Sequence, residues 1–288
     1  MIYTITKNNY SAKISDLGAE LKSFKNNNGF EFIWEGNPDI WYGTAPVLFP
    51  IVGKLKNNKY LYEGQSYDMN QHGFARKSKF EVFNIEESTI SFKLSSDKES
   101  MLIYPFEFEF IVEFVIDEEK LTISYFIKNI GKEVMYFTIG SHPAFALQTN
   151  NCKLSDYYIE FEKKEDLDCY IIDNGLVTSK TIPLYMNNES VIMLNKDIFN
   201  NDALVFKNIL SKHISIKNDI TGYNLRVMTG GAPHLGIWAK PAAPYICIEP
   251  WYGFADSVDS KGEMIKKEGM IKLNTQKDFI TGYQIICQ

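Results

Sequence analysis

Residues Glu107–Asn129 read EFEFIVEFVIDEEKLTISYFIKN, and this stretch decides the fold. Apolar residues recur at every second position in both halves, which is the period of a β-strand with one buried face. The charged segment Asp117–Lys120 separates the two halves. The pattern therefore predicts a long antiparallel β-hairpin.

The same period continues on both sides of this hairpin. Lys59–Tyr67 predicts a second hairpin around Glu63-Gly64-Gln65, and further short strands follow at intervals of ~8–12 residues. Helical periodicity is scarce, with short helices or turns expected near Pro38–Tyr42 and Val191–Phe199. Without βαβ units or a shift in composition, the sequence predicts an all-β fold, a large antiparallel β-sandwich in a single domain over residues 1–288.

Composition excludes several classes of function. The 288 residues are 45% hydrophobic and 14% aromatic, with a net charge of −6 and no Lys/Arg cluster of the kind that binds nucleic acid. No signal peptide and no apolar run of ~18 residues is found, so we expect no membrane association. The four cysteines are scattered without zinc-type spacing. We expect reduced thiols, a cytoplasmic location and no metal.

Two proline-flanked residues stand out as an acid–base pair. His142 lies in GSHPAF and Glu249 in YICIEPWYG, each directly before a proline. A residue before proline is restricted to extended backbone, which suits preorganised catalytic side chains. Strand alternation places Glu249 on one face with Cys247 and Tyr245. The alternative is that each X-Pro pair simply ends a strand, with His142 and Glu249 as ordinary edge residues.

Taken together, the motifs HGFAR, SHPAF and EPWYG resemble the aldose 1-epimerase (galactose mutarotase) family, especially its LacX-like bacterial branch. The resemblance spans nearly the whole chain and implies a galactose mutarotase-like supersandwich that holds a sugar on its concave face. It also implies that Glu249 is the catalytic base, that His142 is the general acid and that His72 contacts the sugar. Lys54 matches a basic substrate-binding residue that is commonly arginine in relatives.

Other substrate-binding candidates have structural alternatives. Arg76 contacts the substrate or forms a salt bridge that supports Glu249 or another acid. His234 rims the site or caps a turn. Trp251 is the foremost candidate for stacking on the sugar, whereas core packing competes for the other aromatic candidates, which are Phe74, Phe145 and Trp238. The family's sugar-binding aspartate cannot be matched to Asp197, Asp202 or Asp219.

The expected function is that of an isomerase that interconverts the α and β anomers of a free monosaccharide. Ring opening and closure need only proton transfers, so no cofactor is expected. One alternative is an epimerase for hexose 6-phosphates, although few arginines are present to clamp a dianion. Another is a carbohydrate-binding or regulatory protein that uses the same fold without turnover. The sequence leaves the physiological sugar and the oligomeric state open.

Overall fold

The computed structural model describes residues 1–147, 152–183 and 190–287, which form 24 strands and one short helix. In chain order the strands are β1 (Ile2–Lys7), β2 (Tyr10–Ser15), β3 (Glu20–Lys25), β4 (Val47–Leu48), β5 (Lys59–Tyr62), β6 (Gln65–Asp68), β7 (Glu81–Ile85), β8 (Thr89–Ser95), β9 (Phe108–Asp117), β10 (Lys120–Asn129), β11 (Met135–Phe137), β12 (Ile139–Ser141), β13 (Ala144–Ala146), β14 (Tyr158–Phe161), β15 (Asp168–Asp173), β16 (Leu176–Pro183), β17 (Val191–Met193), β18 (Leu204–Lys207), β19 (His213–Asn218), β20 (Tyr223–Met228), β21 (His234–Trp238), β22 (Tyr245–Tyr252), β23 (Ile271–Leu273) and β24 (Asp278–Cys287).

Within these described ranges, helical structure is confined to short segments. The α-helix is α1 (Lys98–Ile103), and the 3₁₀ turns are Lys56–Asn58, Ala75–Lys77, Leu154–Asp156 and Met264–Lys266. None of the helices in the described ranges has the length and apolar character needed to cross a membrane.

Two large antiparallel sheets dominate the molecule and confirm the predicted all-β sandwich. The nine-stranded sheet has the order β17-β14-β19-β20-β24-β10-β9-β8-β7. The eight-stranded sheet has the order β16-β15-β18-β21-β22-β12-β4, with β13 also paired to β22. Smaller sheets are formed by β1–β3, by β5 with β6, and by β11 with β23. Both predicted hairpins are present, as β9–β10 and β5–β6.

The two segments where short helices or turns were expected contain no helix. Pro38–Ile40 is a turn. Val191–Met193 is strand β17 on the edge of the nine-stranded sheet, and turns follow it. Ile192 is buried between two more exposed neighbours, so the local alternation and pairing with β14 override the weak helical pattern.

The core lies between the large sheets and is rich in aromatic side chains. Phe110 on β9 is fully buried, and its ring centroid lies 4.9 Å from that of Phe49, which directly follows β4. Tyr125 on β10 shares a 2.8 Å hydrogen bond with Ser141 on β12, which also links the two sheets. On β22, alternation places Ile246 and Ile248 on one face and Cys247 and Glu249 on the other, and Cys247 is also part of the buried apolar cluster.

Replacing Phe110 should reveal how strongly this core stabilises the fold. Phe110→Ala should lower the free energy of unfolding by roughly 3–5 kcal/mol, because it leaves a cavity between the sheets. The matched control is Phe83→Ala on the edge strand β7, where the side chain is 58% exposed. This substitution should change the free energy of unfolding by no more than about 0.5 kcal/mol. Urea unfolding followed by circular dichroism measures both. Equal losses in the two variants would contradict this description of the core.

Candidate active site

A cavity of about 280 Å³ opens beside the eight-stranded sheet and brings together residues that are far apart in the sequence. His72, His142 and Glu249 all line it. The polar lining also includes Gln71, Arg76 and Asp202, and its aromatic walls are Trp41, Trp238, Trp251 and Phe254. Such a combination of aromatic surface with a few converging polar groups is typical of a small-ligand site.

The eight-stranded sheet positions Glu249 and His142 side by side. Glu249 lies within β22, opposite Gly236 on β21, and the strand continues through Pro250 to Tyr252. The alternative in which the Glu249-Pro250 pair ends a strand is therefore wrong. His142 lies between the short strands β12 and β13, which both pair with β22. The backbone N–H of His142 donates to the carbonyl of Pro46, which fixes the break between these strands.

The carboxyl and imidazole of this pair are buried together. Nε2 of His142 lies 3.4 Å from Oε2 of Glu249, and the Glu249 side chain is 1% exposed. Burial raises the pKa of Glu249 well above its usual range and lowers the pKa of His142 to about 3. The sequence-based expectation that the carboxylate would favour a charged imidazole is therefore outweighed by desolvation. Both shifts favour the uncharged forms, in which the Glu249 carboxyl holds the single proton of the pair beside a neutral imidazole.

His72 is held as a hydrogen-bond donor. It adopts a left-handed backbone conformation with φ of 65°, and its Nδ1 accepts from the backbone N–H of Gly53 at 3.1 Å. The neutral ring must then carry its proton on Nε2, which lies 3.3 Å from the side-chain amide of Gln71. Burial, with His142 and Arg76 nearby, lowers the pKa of His72 well below its usual range. The following Gly73 also has positive φ, and a Cβ there would overlap the carbonyl of Phe49.

Two glycines make room for the indole of Trp251. Gly140 on β12 and Gly236 on β21 flank this residue, and a Cβ on either glycine would overlap its ring. The buried indole N–H of Trp251 faces the carboxyl of Glu249, where its donation favours the carboxylate and partly offsets the effect of burial on the pKa of Glu249. The sequence predicted Trp251 at the site but not this glycine slot.

Trp41 is a wall of the cavity that sequence reasoning missed. Its ring stacks on His142 with centroids 5.0 Å apart and meets Trp238 edge-on at 5.5 Å. Gly43 lies directly against the Trp41 ring and leaves space for it to fold back over the sheet. The close spacing of Trp41 and Gly43, just before the buried β4 region, was the sequence feature that could have indicated Trp41 as a cavity residue. Because this segment was predicted only as a short helix or a turn, Trp41 was not identified as a cavity residue.

The remaining predicted residues divide between the cavity and its surroundings. Arg76 lines the cavity and donates from Nη2 to the carbonyl of Gln71, while its buried Nε has no partner among the residues that the structure describes. Within the described ranges Arg76 forms no ion pair with Glu249 or another acid. Of the three aspartates considered, Asp202 lines the cavity. Asp197 accepts a hydrogen bond from Asn200, and Asp219 accepts one from Tyr158, both outside the cavity.

Lys54 and His234 lie outside the cavity lining. The ammonium of Lys54 donates to the carbonyl of Asn174 at 2.9 Å, and its aliphatic chain packs near Gly175. It therefore holds the β15–β16 turn, which contributes Gly175 to the cavity wall. His234 packs edge-on against Phe254 with centroids 4.9 Å apart, and burial lowers its pKa to about 4.

The four expected aromatic contacts also divide into two groups. Trp238 and Trp251 line the cavity. Phe145 is fully buried in the core, and Phe74 packs against Phe49 and Tyr104. For Phe74 and Phe145, core packing therefore replaces the expected sugar contact.

Comparison with known proteins identifies the family to which the chain belongs. The model of the aldose 1-epimerase family matches residues 1–270. The chain belongs to the aldose 1-epimerase family. It is 28% identical to the Lactococcus lactis subsp. lactis plasmid protein LacX over 285 residues, with 93% of each chain covered. These matches confirm the resemblance that the three motifs suggested.

Solved structures of family relatives share the whole fold. A galactose mutarotase related enzyme from Lactobacillus acidophilus is 36% identical and has a TM-score of 0.94, with 100% of this chain and 97% of that chain covered. A galactose mutarotase-like protein from Lactobacillus casei ATCC 334 is 24% identical, also with a TM-score of 0.94, and both chains are fully covered. The fold of this family member is therefore galactose mutarotase-like.

Nitrogen-15 NMR of the histidines tests the arrangement around His72. We expect His72 to remain neutral, with its proton on Nε2, as the pH falls through the ordinary histidine value of about 6.5, because burial lowers its pKa well below that value. The partly exposed His213 provides an internal control and should become protonated before His72 as the pH falls. Protonation of His72 near pH 6.5, or a proton on its Nδ1, would contradict the hydrogen bond from Gly53.

Proposed function

We propose that this family member interconverts the α and β anomers of a free aldose by acid–base catalysis, without a cofactor. The observation that supports this most directly is the buried pair of His142 and Glu249, 3.4 Å apart at the wall of a small aromatic cavity. Anomer exchange needs one group to take a proton from the anomeric hydroxyl and another to supply one to the ring oxygen. The pair provides one group of each kind.

In the proposed reaction, the carboxylate of Glu249 accepts the proton of the anomeric hydroxyl while the imidazolium of His142 donates to the ring oxygen. The C1–O5 bond breaks, an open-chain aldehyde forms, and rotation about C1–C2 exposes its other face. Ring closure on that face reverses both proton transfers. One proton enters the sugar as another leaves it, so the pair and the substrate keep a constant total charge.

Substrate binding must shift the proton within the pair. In the empty site, burial favours the neutral carboxyl and the neutral imidazole. An anomeric hydroxyl that donates to Glu249 stabilises the carboxylate, and a ring oxygen that accepts from His142 stabilises the imidazolium. The carboxylate of Glu249 and the imidazolium of His142 thus form when the sugar that hydrogen-bonds to them is bound. The charged pair therefore acts on the sugar rather than on solvent water.

The cavity offers further groups that suit the rest of the sugar. Nε2–H of His72, Nε of Arg76 and the carboxylate of Asp202 suit sugar hydroxyls, and Trp238 and Trp251 suit its apolar faces. We assign Lys54 an indirect role, because its ammonium is held by Asn174. We likewise place His234 in the support behind Phe254.

The two alternatives fit this cavity less well. Arg76 is the basic side chain found in the described cavity lining apart from the histidines, whereas a phosphate dianion is usually held by several cationic or backbone donors. A pure sugar-binding protein has no need for both a proton acceptor and a proton donor at one point. A free aldose as substrate therefore accounts for more of the cavity than either alternative.

Substitution of the pair tests the proposal. Glu249→Gln cannot take a proton and should lower kcat by roughly 10²–10⁴-fold, with a smaller effect on sugar affinity, and His142→Asn should act alike. The double variant should be little worse than either single one, because both residues serve one coupled transfer. The measurement is polarimetric relaxation of freshly dissolved α-glucose or α-galactose, corrected for the spontaneous rate.

Matched controls lie outside the cavity. Glu165→Gln changes a buried carboxylate that accepts backbone N–H groups of Leu210 and Ser211, and His213→Asn changes a histidine on β19. Both should retain nearly full kcat. Full activity in Glu249→Gln would reject the glutamate as base. A higher kcat/KM for glucose 6-phosphate than for glucose would support the phosphosugar alternative instead.

The pH dependence follows from the opposite pKa shifts of the pair. His142, with a pKa lowered to about 3, gains a second proton for the pair only in strong acid. Burial raises the pKa of Glu249 well above its usual range, so the pair loses its single proton at a higher pH than an ordinary glutamate would. We therefore expect the acidic fall of kcat/KM to lie near pH 3 rather than at the ordinary histidine value near 6.5. A clear inflection at about pH 6.5 in the polarimetric assay would contradict the shared-proton description.

A further inference from the structure

Cys247 is a buried thiol next to the acid–base pair that the proposed reaction does not use. It lies on β22 two residues before Glu249, so both side chains point to the same face of the strand. Its sulfur, a ring nitrogen of His142 and a carboxylate oxygen of Glu249 all lie within 4.8 Å of one another. These three residues are called the His–Cys–Glu cluster below.

The cluster combines the three side-chain types that bind zinc. Thiolate, imidazole and carboxylate are its usual ligands, at about 2.0–2.3 Å from the metal. Ligand atoms around such an ion lie roughly 3–4 Å apart, so the cluster needs only a small contraction. Oε2 of Glu249 is buried and has no hydrogen-bond partner among the described residues, and Nε2 of His142 lies 3.4 Å from it, which leaves ligand capacity unused.

Charge balance also favours a divalent ion. With the thiol and carboxyl deprotonated and the imidazole neutral, the three ligands carry two negative charges, which one divalent cation neutralises. Buried charges are tolerated when they are paired or bound to a metal. The thiol proton of Cys247 and the carboxyl proton of Glu249 both leave to solvent as the metal–ligand bonds form, and nothing is oxidised or reduced.

We propose that the His–Cys–Glu cluster binds a thiophilic divalent cation such as Zn²⁺, and that this ion inhibits the enzyme by occupying the acid–base pair. The inhibitory part rests on the proposed function, whereas binding does not. His142 and Glu249 face the cavity, so a fourth coordination position is open to water from that side. Mg²⁺ prefers six oxygen ligands and gains little from a thiolate and an imidazole.

Binding is tested with Co²⁺, a spectroscopic substitute for Zn²⁺, on the intact protein. The wild type should develop an ultraviolet thiolate-to-cobalt charge-transfer band, which Zn²⁺ but not Mg²⁺ should abolish. Cys247→Ser, with Cys247→Ala as a second variant, should lose the band and bind Zn²⁺ more than about tenfold more weakly by calorimetry. The matched control is Cys169→Ser, a buried thiol on β15 outside the cluster, which should keep the band. Absence of the band in the wild type overturns the site without recourse to any variant.

Inhibition is tested separately by polarimetry. Zn²⁺ should reduce the rate at least about tenfold at a concentration that saturates the cluster, and excess sugar should relieve the inhibition. EDTA should restore full activity, and Mg²⁺ should have no effect. Stimulation by Zn²⁺, or inhibition that persists in both Cys247 variants, would overturn the proposal. If the protein shows no epimerase activity at all, the cobalt spectrum still decides whether the cluster binds metal.

Discussion

The burial of a carboxyl group against an imidazole is the constraint on which the site depends. Glu249 and His142 lie 3.4 Å apart, and the protein surrounds both with little access to water. Desolvation penalises each charge and favours a neutral carboxyl beside a neutral imidazole. A substrate that offers a hydroxyl to one group and an ether oxygen to the other can restore the charged state, and a pyranose has both atoms on adjacent positions of one ring.

The sheet architecture keeps this pair in place. Glu249 lies inside β22 rather than in a loop, and β12 and β13 bracket His142 while pairing with that same strand. The glycines at positions 140 and 236 let Trp251 lie flat between neighbouring strands. Catalytic side chains on strands need little reorganisation, which lowers the entropic cost of reaching a reactive geometry.

Much of the fold was predictable because apolar and polar residues alternate strongly along the strands. The β9–β10 hairpin has regular pairing from Asp117↔Lys120 to Phe108↔Asn129, as the two-residue period indicated. Short apolar segments such as Val191–Met193 carry little periodicity, so their pairing depends on the rest of the sheet. The motifs around His72, His142 and Glu249 indicated three cavity residues, because their local sequences are distinctive.

The cavity walls were harder to predict because loops form them through tertiary contacts. Trp41 reaches His142 only when its segment folds back, and Asp202 lies in a turn with positive φ whose position depends on β18 and β21. Lys54 has the expected charge, but its long side chain reaches the carbonyl of Asn174 instead of the cavity. Nor does a sequence reveal desolvation, which reverses the expected charge preference of His142.

The orientation of a bound aldose tests the central claim most directly. A crystal structure of the Glu249→Gln variant soaked with glucose would trap the sugar with little turnover. The account predicts that the anomeric hydroxyl lies within hydrogen-bonding distance of residue 249 and that the ring oxygen lies within reach of Nε2 of His142. A sugar bound with its anomeric carbon towards the cavity mouth, away from both side chains, would contradict it.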